Sequence, residues 1–218
     1  MTDLFASRFD GFLFDMDGTI LTSIVAAERA WGKWGASHGL DLKTFIPTIH
    51  GRRAIDTIAA QNIPGIDLQA EVAKLVQLEM EDVEGISPIG GAADFLKRLP
   101  PERWALVTSA PAKLAVRRLE AAGLPVPKYK VTADDVEHGK PAPDCFLMGA
   151  KTLGFPPENC LVFEDAEVGI KAGEAAGCSV LVITETHDHV DAHGHPTTRN
   201  YEGLLPVFEG GKLLIRRD

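Results

Sequence analysis

Short apolar runs alternate along much of the chain with segments whose apolar positions follow helical spacing. Buried parallel strands are continuously apolar, whereas amphipathic helices repeat every 3.6 residues, so this alternation predicts strands linked by helices. We therefore expect an α/β fold with a doubly wound parallel sheet. The predicted strands are residues 11–14, 104–107, 160–163 and 179–183, and the predicted helices between them are residues 92–99, 113–122, 144–153 and 168–176.

Residues 21–85 break the alternation, because they carry helical patterns at 26–37 and 68–83 but no convincing strand. We expect a helical cap inserted after the first strand, above the carboxyl ends of the sheet. Caps in this position exclude water and contact the substrate. At the other end of the chain, Gly210 and Gly211 lie between two short apolar runs and predict the turn of a β-hairpin.

The composition is that of a globular protein, with 45% hydrophobic and 24% charged residues among 218. No segment approaches the roughly 18 apolar residues that a membrane span needs, and the first residues do not resemble a signal peptide. We expect a cytoplasmic protein that does not bind membranes. A formal net charge of −9 argues against nucleic-acid binding, which needs clustered lysine and arginine.

The three cysteines are widely spaced and lie in apolar surroundings, at Cys145, Cys160 and Cys178. An odd number with this spacing favours buried thiols over a disulfide framework or a zinc site.

Two aspartates, Asp15 and Asp17, follow the first predicted strand, and Gly18 beside them permits a tight turn. Close carboxylates favour a divalent cation that neutralises their repulsion, and oxygen ligands with water suit Mg²⁺. One carboxylate can then attack phosphorus while the other handles protons. The pair alone is equally compatible with a solvated acidic turn, so it indicates a catalytic site only in combination with other residues.

Thr108 and Ser109 follow the second predicted strand and precede a helix that begins near Pro111. Their hydroxyls and free backbone N–H groups can bind an anion, although ordinary helix capping explains the same pattern. Lys140 lies in the segment HGKPAPD, where the prolines stiffen the loop that carries it. An anionic substrate of this acidic chain needs a local cation of this kind.

Glu164 and Asp165 form a second acid pair, at the end of the third predicted strand. Paired acids at a strand end are unusual without a cation or a basic partner. In a doubly wound sheet, ligands bind at the carboxyl ends of the strands. The residues expected to meet at that edge are Asp15, Thr108, Ser109, Glu164 and Asp165.

Four motifs, DMDGT, VTS, GKPAPD and FEDAEVG, occur in this order across the core. Their order and spacing resemble those of the haloacid dehalogenase-like hydrolase superfamily, and the helical insertion resembles its cap. Segments such as ERAWGKWGASHG and IHGRRAIDTIA resemble the branch of sugar-phosphate, 2-deoxyglucose-6-phosphate and glycerol-3-phosphate phosphatases. The resemblance implies a Rossmann-like catalytic core of residues 1–20 and 86–218, with a helical cap of residues 21–85.

The resemblance also implies a role for each motif residue. Asp15 is expected to be the nucleophile and a Mg²⁺ ligand, and Asp17 the general acid and later base, contacting Mg²⁺ through its backbone carbonyl. Asp165 is expected to be a direct metal ligand and Glu164 to act through water. The implied phosphate site, in which Lys140 neutralises charge and steadies the nucleophile, consists of Gly18, Thr108, Ser109 and Lys140.

His50 and Arg52 flank Gly51 in the predicted cap, where their side chains are candidates for substrate contact. The alternative is an exposed helix start in which Asp56, four residues from Arg52, is a salt-bridge partner.

A histidine-rich tract follows the last predicted core strand. Its ligand count suits a transition metal, but its glycine and proline favour a loop with adventitious or no metal binding. The histidines are His187, His189, His193 and His195.

The leading hypothesis is a Mg²⁺-dependent phosphatase that hydrolyses a small phosphorylated metabolite, a sugar or polyol phosphate, through an aspartyl-phosphate on Asp15. A hexose phosphate phosphomutase would use the same carboxylates but return the phosphoryl group to a sugar. A phosphorylatable receiver-type signalling module shares the doubly wound sheet but has no helical insertion. We expect a monomer or a small homo-oligomer.

Overall fold

The computed structural model describes residues 2–187 and 190–217. Its strands, numbered along the chain, are β1 (Thr2–Asp3), β2 (Gly11–Phe14), β3 (Leu21–Thr22), β4 (Ser87–Pro88), β5 (Trp104–Val107), β6 (Lys130–Val131), β7 (Cys160–Glu164), β8 (Ser179–Ile183), β9 (Thr197–Thr198), β10 (Leu204–Glu209) and β11 (Lys212–Arg217). Its α-helices are α1 (Ile24–Ser37), α2 (Leu42–Phe45), α3 (Ala54–Ala59), α4 (Leu68–Glu81), α5 (Ala92–Lys97), α6 (Ala112–Ala121), α7 (Asp144–Leu153) and α8 (Glu167–Ala175).

A six-stranded parallel sheet in the order β6-β5-β2-β7-β8-β9 forms the centre of the molecule. Successive residues of β2 belong to different hydrophobic clusters, because side chains alternate across a sheet. Phe12 and Phe14 pack with residues of α5 and α6, whereas Leu13 packs with residues of α7 and α8. Helices therefore cover both faces, which confirms the predicted doubly wound α/β fold.

The predicted elements of the core and the longer predicted helices have the observed bounds to within two residues at each end. The two-residue strands β6 and β9 and the short helices α2 and α3 were not predicted, since so few residues carry no measurable periodicity.

Helices α1 to α4 pack around a hydrophobic cluster of their own, which includes Trp31, Trp34, Phe45, Ile58 and Leu75. The expectation that residues 21–85 hold no strand is wrong at their first two positions. Strand β3 pairs with β4 in antiparallel fashion, so the two chain segments that connect the sheet to the inserted helices lie side by side. A separate core and a single two-stranded junction support the division into a catalytic core and an inserted cap, which we retain as a proposal.

The predicted C-terminal hairpin is confirmed, with β10 and β11 joined through Gly210 and Gly211 at positive φ. Strand β1 adds to the free edge of β11, a pairing that the sequence did not indicate. All three cysteines are free and buried, as predicted. Within residues 2–187 and 190–217, none of the helices combines the length and the apolar character that crossing a membrane requires.

Candidate active site

Lys140 joins two carboxylates at the carboxyl edge of the sheet. Asp15 follows β2, and Glu164 ends the neighbouring strand β7, so parallel pairing of these strands brings the two acids together. Lys140 Nζ lies 2.5 Å from Asp15 Oδ1 and 2.5 Å from Glu164 Oε1, and the lysine is only 3% exposed. Although burial lowers the pKa of Lys140, Asp15 and Glu164 raise it above its usual value, so the lysine is charged.

Both carboxylate oxygens of Glu164 make contacts within the protein. Its Oε2 accepts hydrogen bonds from the backbone N–H groups of Asp165 (2.8 Å) and Ala166 (2.9 Å), while Oε1 faces Lys140. A carboxylate with all these partners is suited to anchoring Lys140 and to acting on a metal indirectly.

Gly169 on α8 makes room for Glu164, because a Cβ at position 169 would lie 1.7 Å from Glu164 Oε1. We expect Gly169→Ala to displace Glu164, to lower the free energy of unfolding by about 1–3 kcal/mol, and to reduce activity by weakening the hold on Lys140. Denaturant unfolding and steady-state kinetics measure both effects.

Gly32→Ala is the matched control, since Gly32 lies in helix α1 with nothing within 4 Å of the added Cβ. There the higher helix propensity of alanine should stabilise the protein by about 1 kcal/mol. If Gly169→Ala behaves like Gly32→Ala, the contact with Glu164 does not constrain the site.

Asp165 lies against the turn that carries the first acid pair. Its Oδ1 accepts a hydrogen bond from Thr19 Oγ1 at 2.8 Å, and its Oδ2 lies 3.0 Å from His187 Nε2. Gly18 has a φ of +92° and approaches so closely that a Cβ would lie 2.0 Å from Asp165 Oδ2. Only glycine fits there, for both reasons.

Asp15, Glu164 and Asp165 form a buried carboxylate cluster that fits a divalent cation. One oxygen from each can be chosen so that all three lie within 4.8 Å of one another. Burial raises the pKa of Asp15 well above its usual range, with Lys140 opposing and Glu164 adding to the shift. Burial also raises the pKa of Asp165. A bound cation relieves this penalty, and hard oxygen donors suit Mg²⁺.

The Asp17 carboxylate is not a member of this cluster and is held by two other groups. Ser23 Oγ donates to Asp17 Oδ1 at 2.5 Å, and Arg118 Nη1 lies 2.8 Å from Asp17 Oδ2. The other nitrogen of the fork, Arg118 Nη2, lies 2.8 Å from Glu79 Oε1 on α4. The carboxylate lies at the wall of a cavity between sheet edge and cap.

The hydroxyl pair stands at the end of β5 beside Asp15. Thr108 is buried, and its Oγ1 accepts a hydrogen bond from the N–H of Ala110 at 3.1 Å, which leaves the hydroxyl proton available to an anion. Ser109 Oγ donates to the carbonyl of Gly51 at 2.9 Å, so the side chain ties core to cap. The bond from Ala110 to Thr108 lies ahead of α6, whose N-cap residue is Pro111 with no side-chain cap hydrogen bond, so the capping alternative for Thr108 is wrong.

A cap loop closes over the sheet edge at Gly51. The φ of Gly51 is +72°, and a Cβ there would lie 2.7 Å from Val168 Cγ2, so cap and core touch closely. Next to it, Arg53 donates to the carbonyl of Val136 at 2.9 Å and pairs with Asp56 at 2.7 Å. The alternative pairing of Asp56 with Arg52 is thus wrong, because Arg53 takes that partner.

His50 and Arg52 line two neighbouring spaces at the sheet edge. A cavity of about 80 Å³ includes Asp15 and Asp17 in its wall. A cleft of about 1140 Å³ shares Asp165 with that cavity. His50 faces Glu28 at 3.5 Å, and burial lowers its pKa. Both side chains therefore line the cavity as well as the cleft.

The histidine tract divides between two places. His187 reaches Asp165, and its ring centroid is 5.6 Å from that of His50. His193 and His195 instead lie against Glu174 on α8, at 3.3 Å and 2.9 Å. His189 lies outside the described residues.

Three charged or hydroxyl-bearing residues of the cavity wall were not predicted from the sequence, namely Arg118, Glu79 and Ser23. A signal for Arg118 was available, because it occupies the buried face of α6 with Leu114 and Leu119. A charged residue on an apolar helix face needs a partner. Nothing in the local sequence indicated which partner, since Asp17 is 101 residues away.

Known proteins of one family share the sequence pattern of this chain. The chain belongs to the haloacid dehalogenase-like hydrolase family, whose model matches residues 9–177. It is 41% identical over 185 residues to hexitol phosphatase A of Escherichia coli (strain K12), covering 83% of this chain and 86% of that protein. It is 37% identical to glycerol-1-phosphate phosphohydrolase 2 of Saccharomyces cerevisiae, covering 83% and 77%. The protein is therefore an enzyme of the hydrolase class.

Solved structures agree on the architecture. The structure of CbbY from Rhodobacter sphaeroides in complex with phosphate has a TM-score of 0.74 at 20% identity, covering 88% of this chain and 95% of that one. At this level of identity the likeness shows the fold alone.

Proposed function

We propose that this protein is a Mg²⁺-dependent phosphatase that hydrolyses a small sugar phosphate or polyol phosphate through an aspartyl-phosphate on Asp15. The observation that carries the proposal is the buried cluster of Asp15, Lys140, Glu164 and Asp165, with the Asp17 carboxylate facing the adjoining cavity. Relatives named for hexitol and glycerol phosphates support this ester class.

In the first step, a carboxylate oxygen of Asp15 attacks phosphorus while the bond to the ester oxygen breaks. Asp17 gives its proton to that oxygen, so the sugar or polyol leaves as a neutral alcohol. Thr108 and the N–H of Ser109 hold the phosphoryl oxygens, and Lys140 stabilises the charge on them.

In the second step, the Asp17 carboxylate takes a proton from a water molecule whose oxygen attacks the same phosphorus. The bond between phosphorus and Asp15 breaks, inorganic phosphate leaves, and both aspartates return to their starting state. One ester and one water give one alcohol and one phosphate.

Asp15, Asp165 and the backbone carbonyl of Asp17 would hold Mg²⁺, with Glu164 acting through water. When bound, Mg²⁺ neutralises charge on the transferring phosphoryl group. The cluster of buried oxygens supports this assignment, since carboxylate, carbonyl and water oxygens are the ligands this ion prefers.

The substrate contacts from the cap are assigned to His50 and Arg52, which line the cavity and the cleft. Gly18 shapes the phosphate end by letting the turn approach Asp165. The oligomeric state, monomer or small homo-oligomer, and the cytoplasmic location stay predictions.

The test is a phosphate-release screen over sugar, polyol and nucleotide monophosphates, with Mg²⁺ present and then chelated. We expect steady turnover of a small sugar or polyol phosphate that falls to background with chelator and returns with added Mg²⁺. Activity that survives exhaustive chelation contradicts the metal assignment. Conversion of a hexose 1-phosphate to its isomer without phosphate release indicates a phosphomutase, and a single stoichiometric phosphorylation indicates a receiver.

A further inference from the structure

Arg118 is a buried charge that links the catalytic core to the cap. It lies on core helix α6 with 6% of its surface exposed. Its two terminal nitrogens reach different parts of the molecule, Asp17 after β2 and Glu79 on cap helix α4, each at 2.8 Å. Burying a guanidinium is costly unless its partners are charged and well aligned. Both partners here are carboxyl groups, each at hydrogen-bond distance from a guanidinium nitrogen.

The Asp17 carboxylate is fixed at both oxygens by groups whose positions depend on the cap. Ser23, which binds Oδ1, immediately precedes cap helix α1. Arg118, which binds Oδ2, is itself held by Glu79 near the end of cap helix α4. One contact on Asp17 therefore comes from the residue at the start of the cap, and the other comes from a core arginine that the end of the cap holds. Displacement of the cap from the core disturbs both.

We propose that Arg118 is a positioning residue for Asp17, and that Glu79 makes this positioning depend on the docked cap. The proposal rests on the function proposed above, in which Asp17 is the general acid and base. Arg118 orients the carboxylate at the wall of the cavity, and proton transfer is then efficient only when α4 is in place. The fork geometry of arginine suits this role, because one planar group holds two carboxylates at fixed angles.

The test uses two esters that differ in their need for an acid. Glycerol 1-phosphate has a poor leaving group that must be protonated, whereas 4-nitrophenyl phosphate leaves with little help. We expect Arg118→Gln to lower kcat/KM for glycerol 1-phosphate by about 10- to 100-fold and for 4-nitrophenyl phosphate by less than about threefold. Glu79→Gln should also lower kcat/KM more for glycerol 1-phosphate than for 4-nitrophenyl phosphate, and both losses should be smaller than in Arg118→Gln.

A second measurement separates positioning from a general structural role. In an Asp17→Asn background the acid is already absent, so Arg118→Gln should cause no further loss of 4-nitrophenyl phosphate turnover. Arg118→Lys keeps the positive charge and should retain part of the activity towards glycerol 1-phosphate. It is the variant to measure if Arg118→Gln does not fold. Arg117→Gln is the matched control, because Arg117 reaches the carbonyl of Met80 on α4 at 3.4 Å and should leave the selectivity unchanged.

Equal losses of kcat/KM on both esters, or a further loss of kcat/KM in the Asp17→Asn background, overturn the proposal. The comparison uses kcat/KM because Asp17 is also the base in the second step, which both esters share. A raised KM for glycerol 1-phosphate with unchanged kcat also overturns it, because Arg118 would then bind substrate directly. These outcomes differ from failure of the proposed function, in which the unmodified protein releases no phosphate from either ester.

Discussion

Asp15→Asn is expected to abolish phosphate release, with a loss on the order of 10⁴-fold or more. The asparagine amide is a poor nucleophile, so the first phosphoryl transfer has no acceptor, and no protein-bound phosphate should be detected by mass spectrometry after acid quenching. The fold should persist, because asparagine is nearly isosteric and removes a carboxylate whose ionisation burial disfavours.

Asp94→Asn is the control for Asp15→Asn. Asp94 is an exposed carboxylate on α5, 3.8 Å from Lys97, and its loss should leave turnover at the level of the unmodified protein. If Asp15→Asn retains turnover while its thermal unfolding is unchanged, the assignment of the nucleophile is wrong.

Lys140→Met is expected to cost both activity and stability. Without the ammonium, Asp15 and Glu164 are left as buried carboxylates with no cation between them. Breaking a buried ion pair by removing one partner costs about 3–5 kcal/mol, and loss of the charge at the phosphoryl site should reduce kcat by about 10³-fold. Denaturant unfolding and steady-state kinetics measure these two quantities.

Mg²⁺ should recover part of the stability lost in Lys140→Met, because a bound cation beside Asp15 and Glu164 offsets the repulsion between these carboxylates once the ammonium is gone. Lys151→Met, an exposed lysine at the end of α7, is the matched control and should change neither quantity. Unchanged stability of Lys140→Met in the absence of Mg²⁺ would show that the short contacts to Asp15 and Glu164 contribute little.

Local pattern was sufficient to predict the core elements. The strands β2, β5, β7 and β8 are short and wholly apolar or nearly so, and each is bounded by polar or turn residues. The parallel arrangement then follows, because helices between successive strands force right-handed crossovers that return each strand in the same direction. With that arrangement, residues following each strand must meet at one edge.

The weaker elements were not predictable for a different reason. Strand β1 has only two residues, and its pairing with β11 joins Thr2 to Arg217 across nearly the whole chain. The cap helices α2 and α3 are too short to display a period. Such elements exist because tertiary neighbours stabilise them, so their own residues carry little sign of them.

In the candidate site, too, some features could be predicted from local sequence and others could not. The sequence placed Asp15, Thr108 and Asp165 at strand ends, and the structure confirms that they line one cavity. It did not reveal that Asp17 is shared between Ser23 and Arg118. Whether Thr108 caps α6 and whether Asp56 pairs with Arg52 could be decided only from the structure. Thr108 Oγ1 accepts from Ala110 ahead of the helix, and Asp56 pairs with Arg53.

The alternation of strands and helices, the place of the helical insertion and the order of the acidic, hydroxyl and lysine motifs could all be read from the sequence. Only the tertiary structure decided that Lys140 bridges Asp15 and Glu164, and that Arg118 connects Asp17 to the cap. The physical reason is that periodicity reports which face of a segment is buried. Which charges meet depends on strand register and cap docking, and these are set by contacts between residues distant in the chain.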